Sequence, residues 1–195
     1  GVDGAERGRV VVLGVGIAGS HAVTTALGLE AEVHVFDLNE DRLANLKGQH
    51  SELLIHISTP ELVADICQQA DLVVGAVMVA GRRAPVVLTH KMIERMPNGS
   101  VIVDIAIHQG GCVEDIRVTD AEELAYTSQG VIHSAVPNMP GAVPRTAAQS
   151  LSSAIASYVQ RLAAGELPGD AYLQAAVAVS EGRVVDPVLQ QELDL

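Results

Sequence analysis

An α/β fold built on a doubly wound parallel sheet, with helices on both faces, is the class this sequence predicts. Three observations carry it. The candidate strands are short runs dominated by β-branched and other apolar residues, as strands buried on both faces are. Each is followed by a helical segment, the alternation that joins parallel neighbours by crossovers. No repeat or low-complexity segment interrupts the pattern along the 195 residues. A C-terminal helical extension completes the expected architecture.

The elements follow in order. "RVVVLG" (9–14) is the first buried strand, and "IAGSHAVTTALGL" (17–29) is a helix of small residues with Gly28 near its end. "EVHVFD" (32–37) is the second strand. "NEDRLANLKG" (39–48) opens on Asn39, a natural N-cap, and stops at Gly48. "LLIHIS" (53–58), "PELVADICQQA" (60–70) and "DLVVGAVM" (71–78) repeat the strand–helix–strand pattern. A loop with Gly81 and Pro85 leads to the helix "THKMIERM" (89–96), closed by "PNG". "SVIVDIAI" (100–107) is a further strand, followed by a polar loop to about residue 129. "GVIHSAVPN" (130–138) is the last strand expected. "VPRTAAQSLSSAIASYVQRLAAG" (143–165) is a long helix with Pro144 in its first turn, and "DAYLQAAVAVSEG" reads as one more helix.

Composition removes several function classes. Apolar residues make up 48% of the chain and mean hydropathy is +0.29, which excludes disorder. No apolar run approaches the roughly 20 residues that span a bilayer, so a cytoplasmic protein without membrane insertion is expected. Lys and Arg number 12 against 24 Asp and Glu, a net charge of −12 without a basic cluster. Such a surface repels a phosphate backbone, so nucleic acid is not an expected partner. Aromatics at 2% leave no platforms on which bases could stack. Cys67 and Cys112 make neither a disulfide framework nor a metal-ligand spacing, and no metal is expected. The opening "GVDGAERG" is polar and glycine-rich, without the regions of a signal peptide, and reads as an interdomain connection.

The chemistry-bearing motif is "GVGIAG", with Gly14, Gly16 and Gly19 in G-x-G-x-x-G spacing. The first glycine permits the tight turn, the second lets a pyrophosphate approach the backbone, and the third packs helix against strand. Alone the pattern is weak. Here it follows a buried strand and opens a helix whose amides and dipole favour phosphate. Asp37 ends the second strand eighteen residues after Gly19, where a carboxylate accepts hydrogen bonds from an adenosine ribose. A solvent-facing turn aspartate is the bland alternative, and the agreement of four features outweighs it. The same carboxylate repels a 2′-phosphate, and Arg42 is expected to flank the ribose, so NAD is favoured over NADP. The fold is then a Rossmann-type sheet, with residues 1–8 as linker, 9–165 as the NAD-binding domain and 166–195 as a helical tail.

Ligands of open α/β sheets gather at the carboxyl ends of strands. That edge collects Ser58, Val77, Met78, Ile107, His108 and the run Val136-Pro137-Asn138-Met139. The apolar members could wall the adenine and nicotinamide rings, and Asn138 could donate to an amide or ribose oxygen; ordinary loop packing explains any one of them singly. Among the seven histidines, His34, His56 and His133 fall mid-strand and read as packed. His21 and His50 read as surface residues, and His90 begins a short helix. His108 ends a strand on the ligand edge, where an imidazole could move a proton, although no carboxylate nearby in sequence orients it. Cys112 follows two glycines and could be exposed; nothing basic marks it as a thiolate, so it reads as structural.

The segments "VVVLGVGIAGSHAVTTALGLEAEVHVFDLNEDRL", "ADLVVGAVMVAGRRAPVVLTHKMI", "GSVIVDIAIHQGGC" and "NMPGAVPRT" together resemble the NAD-binding portion of alanine dehydrogenases, which share ancestry with the NAD-binding subunit of proton-translocating transhydrogenase. They cover nearly all of residues 9–165, and the last two favour the alanine dehydrogenases. The resemblance implies oxidative deamination of L-alanine to pyruvate and ammonium, with hydride passed to NAD. It implies dinucleotide contacts at Gly14 through Gly19, including Ile17 and Ala18, and at Asp37, Arg42, Ser58, Val77 and Met78. Further contacts are implied at Ile105 through His108 and at Asn138 and Met139. It also implies a homo-oligomer, commonly a hexamer, to which a helix of this domain contributes.

Two departures stand out. The family usually places an active-site aspartate where this chain has His108. It also places a substrate domain ahead of the first strand, whose arginine and lysine hold the substrate carboxylate and whose histidine moves the proton. Three expectations follow: a truncated or split enzyme, inactive until a separate substrate domain or subunit supplies the clamp; a non-catalytic NAD-binding assembly or regulatory module; or a dehydrogenase of another amino or imino acid using His108.

Overall fold

The computed structural model describes residues 3–120 and 122–193. It falls into two compact units. One runs through Val79 and resumes over Arg83–Pro137; the other takes Ala80–Arg82 and the described chain from Asn138 onward.

The first unit is the expected sheet. Strands β1 (Arg9–Leu13), β2 (Glu32–Asp37), β3 (Leu54–Ile57), β4 (Leu72–Gly75), β5 (Val101–Asp104), β6 (Tyr126–Ser128) and β7 (Val131–Ser134) lie in the order β3-β2-β1-β4-β5-β7-β6. All neighbours are parallel except β6 and β7. Between them come α1 (Ile17–Gly28), α2 (Glu40–Gln49), α3 (Pro60–Cys67) and α4 (His90–Ile93). The chain leaves β3 at one edge and re-enters beyond β1 as β4, so the winding reverses between β1 and β4. That is the crevice where such sheets take ligands.

Burial accounts for the unbroken apolar runs. Val10, Val12, Val33 and Val35 share one core with Val23, Ala26, Leu43 and Leu46 of α1 and α2. Val11, Leu13, Val73 and Ile102 face the other way, against Val63, Cys67, Met92 and Ile93 of α3 and α4. Strands β1, β2 and β4 thus bury both faces, whereas β3 at the edge stays largely exposed, and each fully buried Val or Leu contributes on the order of 1.5–3 kcal/mol. Local punctuation agrees: Asn39 and Thr59 cap α2 and α3 by accepting from Arg42 N and Leu62 N.

The structure corrects four expectations. β5 stops at Asp104, and Ile105–Gln109 is a 3₁₀ turn instead of the rest of a strand. The Asp104 side chain accepts the Ala106 amide, a local bond that turns the backbone out of the sheet. The stretch read as loop contains β6, paired antiparallel to β7. Gln129 and Gly130 both take positive φ between them, the geometry of a tight hairpin turn. "DAYLQAAVAVSEG" is not one helix: α6 (Ala171–Ala175) ends early, and β8 (Val179–Ser180) and β9 (Arg183–Val184) form a hairpin. There Glu181 and Gly182 take the positive φ values, and the β-branched valines suit strands better than a helix. The last strand ends at Ser134 instead of reaching Asn138.

The second unit contains α5 (Pro144–Ala163), α6, the β8–β9 hairpin and α7 (Pro187–Glu192). No helix of the described residues is long and apolar enough to cross a membrane.

Candidate functional site

At the end of β1 the three glycines do different work. Gly14 has φ of +95°, and a Cβ there would lie 2.7 Å from the Ala76 carbonyl oxygen. A Cβ on Gly19 would collide with the Gly14 carbonyl, whereas one on Gly16 would meet nothing within 4 Å. Two glycines are therefore required by the protein's own packing, and the middle one faces open space. Helix α1 starts there without a side-chain cap or an acidic residue in its first turn. Its first bonded amide is Ser20 N, 2.9 Å from the Gly16 carbonyl. The amides of Ile17, Ala18 and Gly19 come before it and have no acceptor among the described residues. Unpaired donors at a helix N-terminus attract an anion, and the clear space over Gly16 leaves room for a pyrophosphate.

Asp37 closes β2 beside this loop. Its Oδ2 accepts Val15 N at 2.7 Å and its Oδ1 accepts Asn39 N at 2.8 Å. The carboxylate thus bolts the glycine loop to the strand end, and each oxygen keeps a lone pair that a ribose hydroxyl could use. Ser58 sits just past β3, its amide donating to the Asp37 carbonyl at 3.0 Å. Arg42 lies in the first turn of α2 with its guanidinium exposed and unpartnered among the described residues. Glycine loop, Asp37, Arg42 and Ser58 are thereby brought to one corner of the sheet edge. Val77 and Met78 follow β4: Val77 packs against the core, and Met78 is 67% exposed.

The other corner is the turn after β5. Ile107 is buried, Ile105 half-buried and His108 exposed. No protein group holds the His108 ring among the described residues. Gln109 leaves its buried Oε1 without a partner among the described residues. The sequence reading missed the residue that organises this turn. Asp104 is fully buried, and it accepts amides from Ala106 (2.8 Å), Cys112 (2.7 Å) and Val113 (3.1 Å). Burial still pushes its carboxyl above the usual range, against the pull of those donors. An acid at the end of an apolar strand, followed by a glycine pair and a cysteine, was the available signal. Cys112 is buried, not exposed, and burial together with the Asp104 charge pushes its thiol up to about 12.

Asn138 and Met139 belong to the second unit. Asn138 takes φ of +53°, and Met139 opens a 3₁₀ turn running to Ala142. The remaining histidines go elsewhere. His34 and His133 are buried, and His34 Nδ1 lies 3.0 Å from His56 Nε2. His90 is bonded to Asp115, which raises its pKa. Among the described residues no His, Cys, Asp or Glu cluster could hold a metal.

Known proteins share this sequence and fold. The family described as "Alanine dehydrogenase/PNT, C-terminal domain" matches residues 1–187. The alanine dehydrogenase of Bacillus subtilis (strain 168) is 39% identical over 201 aligned positions, which take in 99% of this chain and 53% of that protein. A solved L-alanine dehydrogenase superposes with a TM-score of 0.89 at 41% identity, covering 100% of this chain and 55% of its own. The transhydrogenase from Sinorhizobium meliloti superposes at 0.73 with 25% identity over 92% of this chain and 50% of its own. The chain spans about half the length of the relatives it matches. By sequence and by fold, it belongs to the alanine dehydrogenase/PNT C-terminal domain family.

Proposed function

We propose that this chain is the NAD-binding part of an alanine-dehydrogenase-type oxidoreductase. The observation that carries the reading is the open N-terminus of α1, with three free amides and clear space over Gly16, set beside a fixed Asp37 carboxylate. When bound, NAD supplies a hydride acceptor at its nicotinamide C4. The chain's own residues do the holding. Amides of Ile17, Ala18 and Gly19 bind the pyrophosphate, and Asp37, flanked by Arg42 and Ser58, fixes the adenosine ribose. Val77, Met78, Ile105 and Ile107 wall the nicotinamide and keep water from it; the family resemblance adds Asn138 and Met139 to the dinucleotide contacts. The proposed boundaries are a linker over 1–8, the cofactor part over 9–165 and a tail over 166–195.

Hydride transfer also needs the substrate α-carbon held against the cofactor, its carboxylate clamped and its amine deprotonated. We assign those tasks to residues outside this sequence, in a substrate domain or subunit. The purified chain is therefore expected to produce NADH from L-alanine at a negligible rate, and addition of that partner is expected to restore the rate. Robust alanine-dependent NADH production by the chain alone would overturn the assignment.

A second reading rests on His108, an exposed imidazole at the nicotinamide corner with no carboxylate to orient it among the described residues. It makes the chain a cofactor-binding regulatory module or a dehydrogenase of another amino or imino acid. With the partner present, His108→Asp and His108→Ala separate these readings. Equal rates in all three proteins would remove His108 from proton transfer.

A further inference from the structure

Resting on the cofactor reading above, we propose that Asp104 is a positioning residue, whose buried carboxylate shapes the 105–111 turn so that Ile107 and His108 are presented to the nicotinamide half of the dinucleotide. The sheet order supports the placement. Asp37 and the glycine loop lie on the β3-β2-β1 side of the reversal, whereas β4 and β5 lie across it. With adenosine on the first side, the crevice leads the other half of the ligand toward the ends of β4 and β5.

The turn is built around the carboxylate. Oδ1 accepts Ala106 N at its start, and Oδ2 accepts Cys112 N and Val113 N at its end. Both ends of the loop that carries His108 are thus tied to one side chain. Gly110 and Gly111 take φ of +91° and +78°, and a Cβ on Gly111 would lie 2.9 Å from Asp104 Oδ2. The glycine pair lets the backbone wrap this closely. Across the sheet Gly75 is paired with Asp104, and a Cβ there would lie 2.6 Å from the Cys112 sulfur. The thiol covers the carboxylate from that side and donates to Oδ1 at 3.8 Å. On the outside, Ala84 N donates to the Gln109 carbonyl, and Val87 N and Leu88 N donate to the Cys112 carbonyl. Within the turn the Ala106 carbonyl accepts Gly111 N, and among the described residues Asp104 is the side chain that bonds both of its ends.

No side chain of equal size replaces this. Asparagine would put an NH₂ group against at least one backbone N–H, which leaves a buried donor unpaired. The test compares NADH with ADP-ribose, which lacks the nicotinamide, on the wild-type chain and on Asp104→Asn. The Kd for NADH is expected to rise about tenfold or more, the scale of one lost charge-assisted bond, while that for ADP-ribose stays within about twofold. A variant merely loosened as a whole would lose both ligands alike, and that result would overturn the proposal. Amide exchange on the wild-type chain gives a second reading that needs no variant. NADH is expected to slow the amides of residues 105–113 and ADP-ribose to leave them unchanged; equal slowing by both would also overturn it. Failure of the wild-type chain to bind either ligand would instead overturn the cofactor reading on which the proposal rests.

Discussion

The three glycines of "GVGIAG" look interchangeable in sequence and are not. A methyl group on Gly19 meets the Gly14 carbonyl, so Gly19→Ala should cost about 1–3 kcal/mol of stability through overpacking. Gly16 has φ of −76° and open space where a Cβ would go, so Gly16→Ala should fold normally. It should nonetheless weaken NADH by about tenfold or more, roughly 1.4 kcal/mol or above, because the methyl occupies the pyrophosphate's place. Urea melts paired with NADH titrations of the two variants check this; a Gly16→Ala protein that binds like wild type would remove the pyrophosphate from this loop. Asp37→Asn should likewise lower NADH affinity by about tenfold, and should narrow the gap to NADPH by removing the charge that repels a 2′-phosphate. The glycine motif and Asp37 were legible in sequence because their spacing is set by local backbone geometry. Asp104 was not, because its partners Cys112 and Val113 lie eight and nine residues away and meet it only once β5 has turned.

At the scale of elements, every strand of the parallel sheet was found in the sequence, most plainly β1, β2 and β4, which bury both faces. The C-terminal ends of β4, β5 and β7 were read too long. Both antiparallel hairpins were missed for one reason. Their turns are Gln129-Gly130 and Glu181-Gly182, in which a non-glycine residue takes positive φ. Asn-Gly or Asp-Gly would have announced the same geometry. The pairing of β2 with β3 carries a pH dependence the sequence did not disclose. His34 bridges His56 and Glu32, and Arg9 Nε donates to the same Glu32 oxygen, Oε1, at 2.6 Å. His56 also stacks on Phe36. Burial, and then the neighbouring His34, hold the His56 pKa below its usual 6.5. The unfolded chain therefore takes up a proton near 6.5 that the folded chain resists. This contribution to stability is complete above that pH and is lost as pH falls through the lower folded value. The His34 bond, with help from Arg9, lowers Glu32, whose contribution is present above 4.5 and lost as pH falls further. The urea midpoint should fall between about pH 7 and pH 5.5, and His56→Gln should flatten that decline. An unchanged slope in the variant would contradict the account.

For the whole molecule, α5 shows what one chain leaves unfinished. Leu151, Ile155, Tyr158, Val159 and Leu162 fall at helical spacing and are all 44–62% exposed, and no residue of this helix is buried. An amphipathic helix with an open apolar stripe calls for a covering surface, and we propose that a second copy of the chain supplies it, as the family resemblance implies. Leu151→Glu with Ile155→Glu should shift the mass in solution toward the monomer while leaving the fold's circular dichroism intact; an oligomer of unchanged mass would remove α5 from the interface. The central claim is simpler: the edge between β1 and β4, with Asp37 at its corner, holds NAD(H). Titrating the purified chain with NADH and, in parallel, NADPH while following nicotinamide fluorescence tests it most directly. Saturable binding of NADH, about tenfold or more tighter than NADPH, is the predicted result. Binding of neither would contradict the cofactor site, and tighter binding of NADPH would contradict the role given to Asp37.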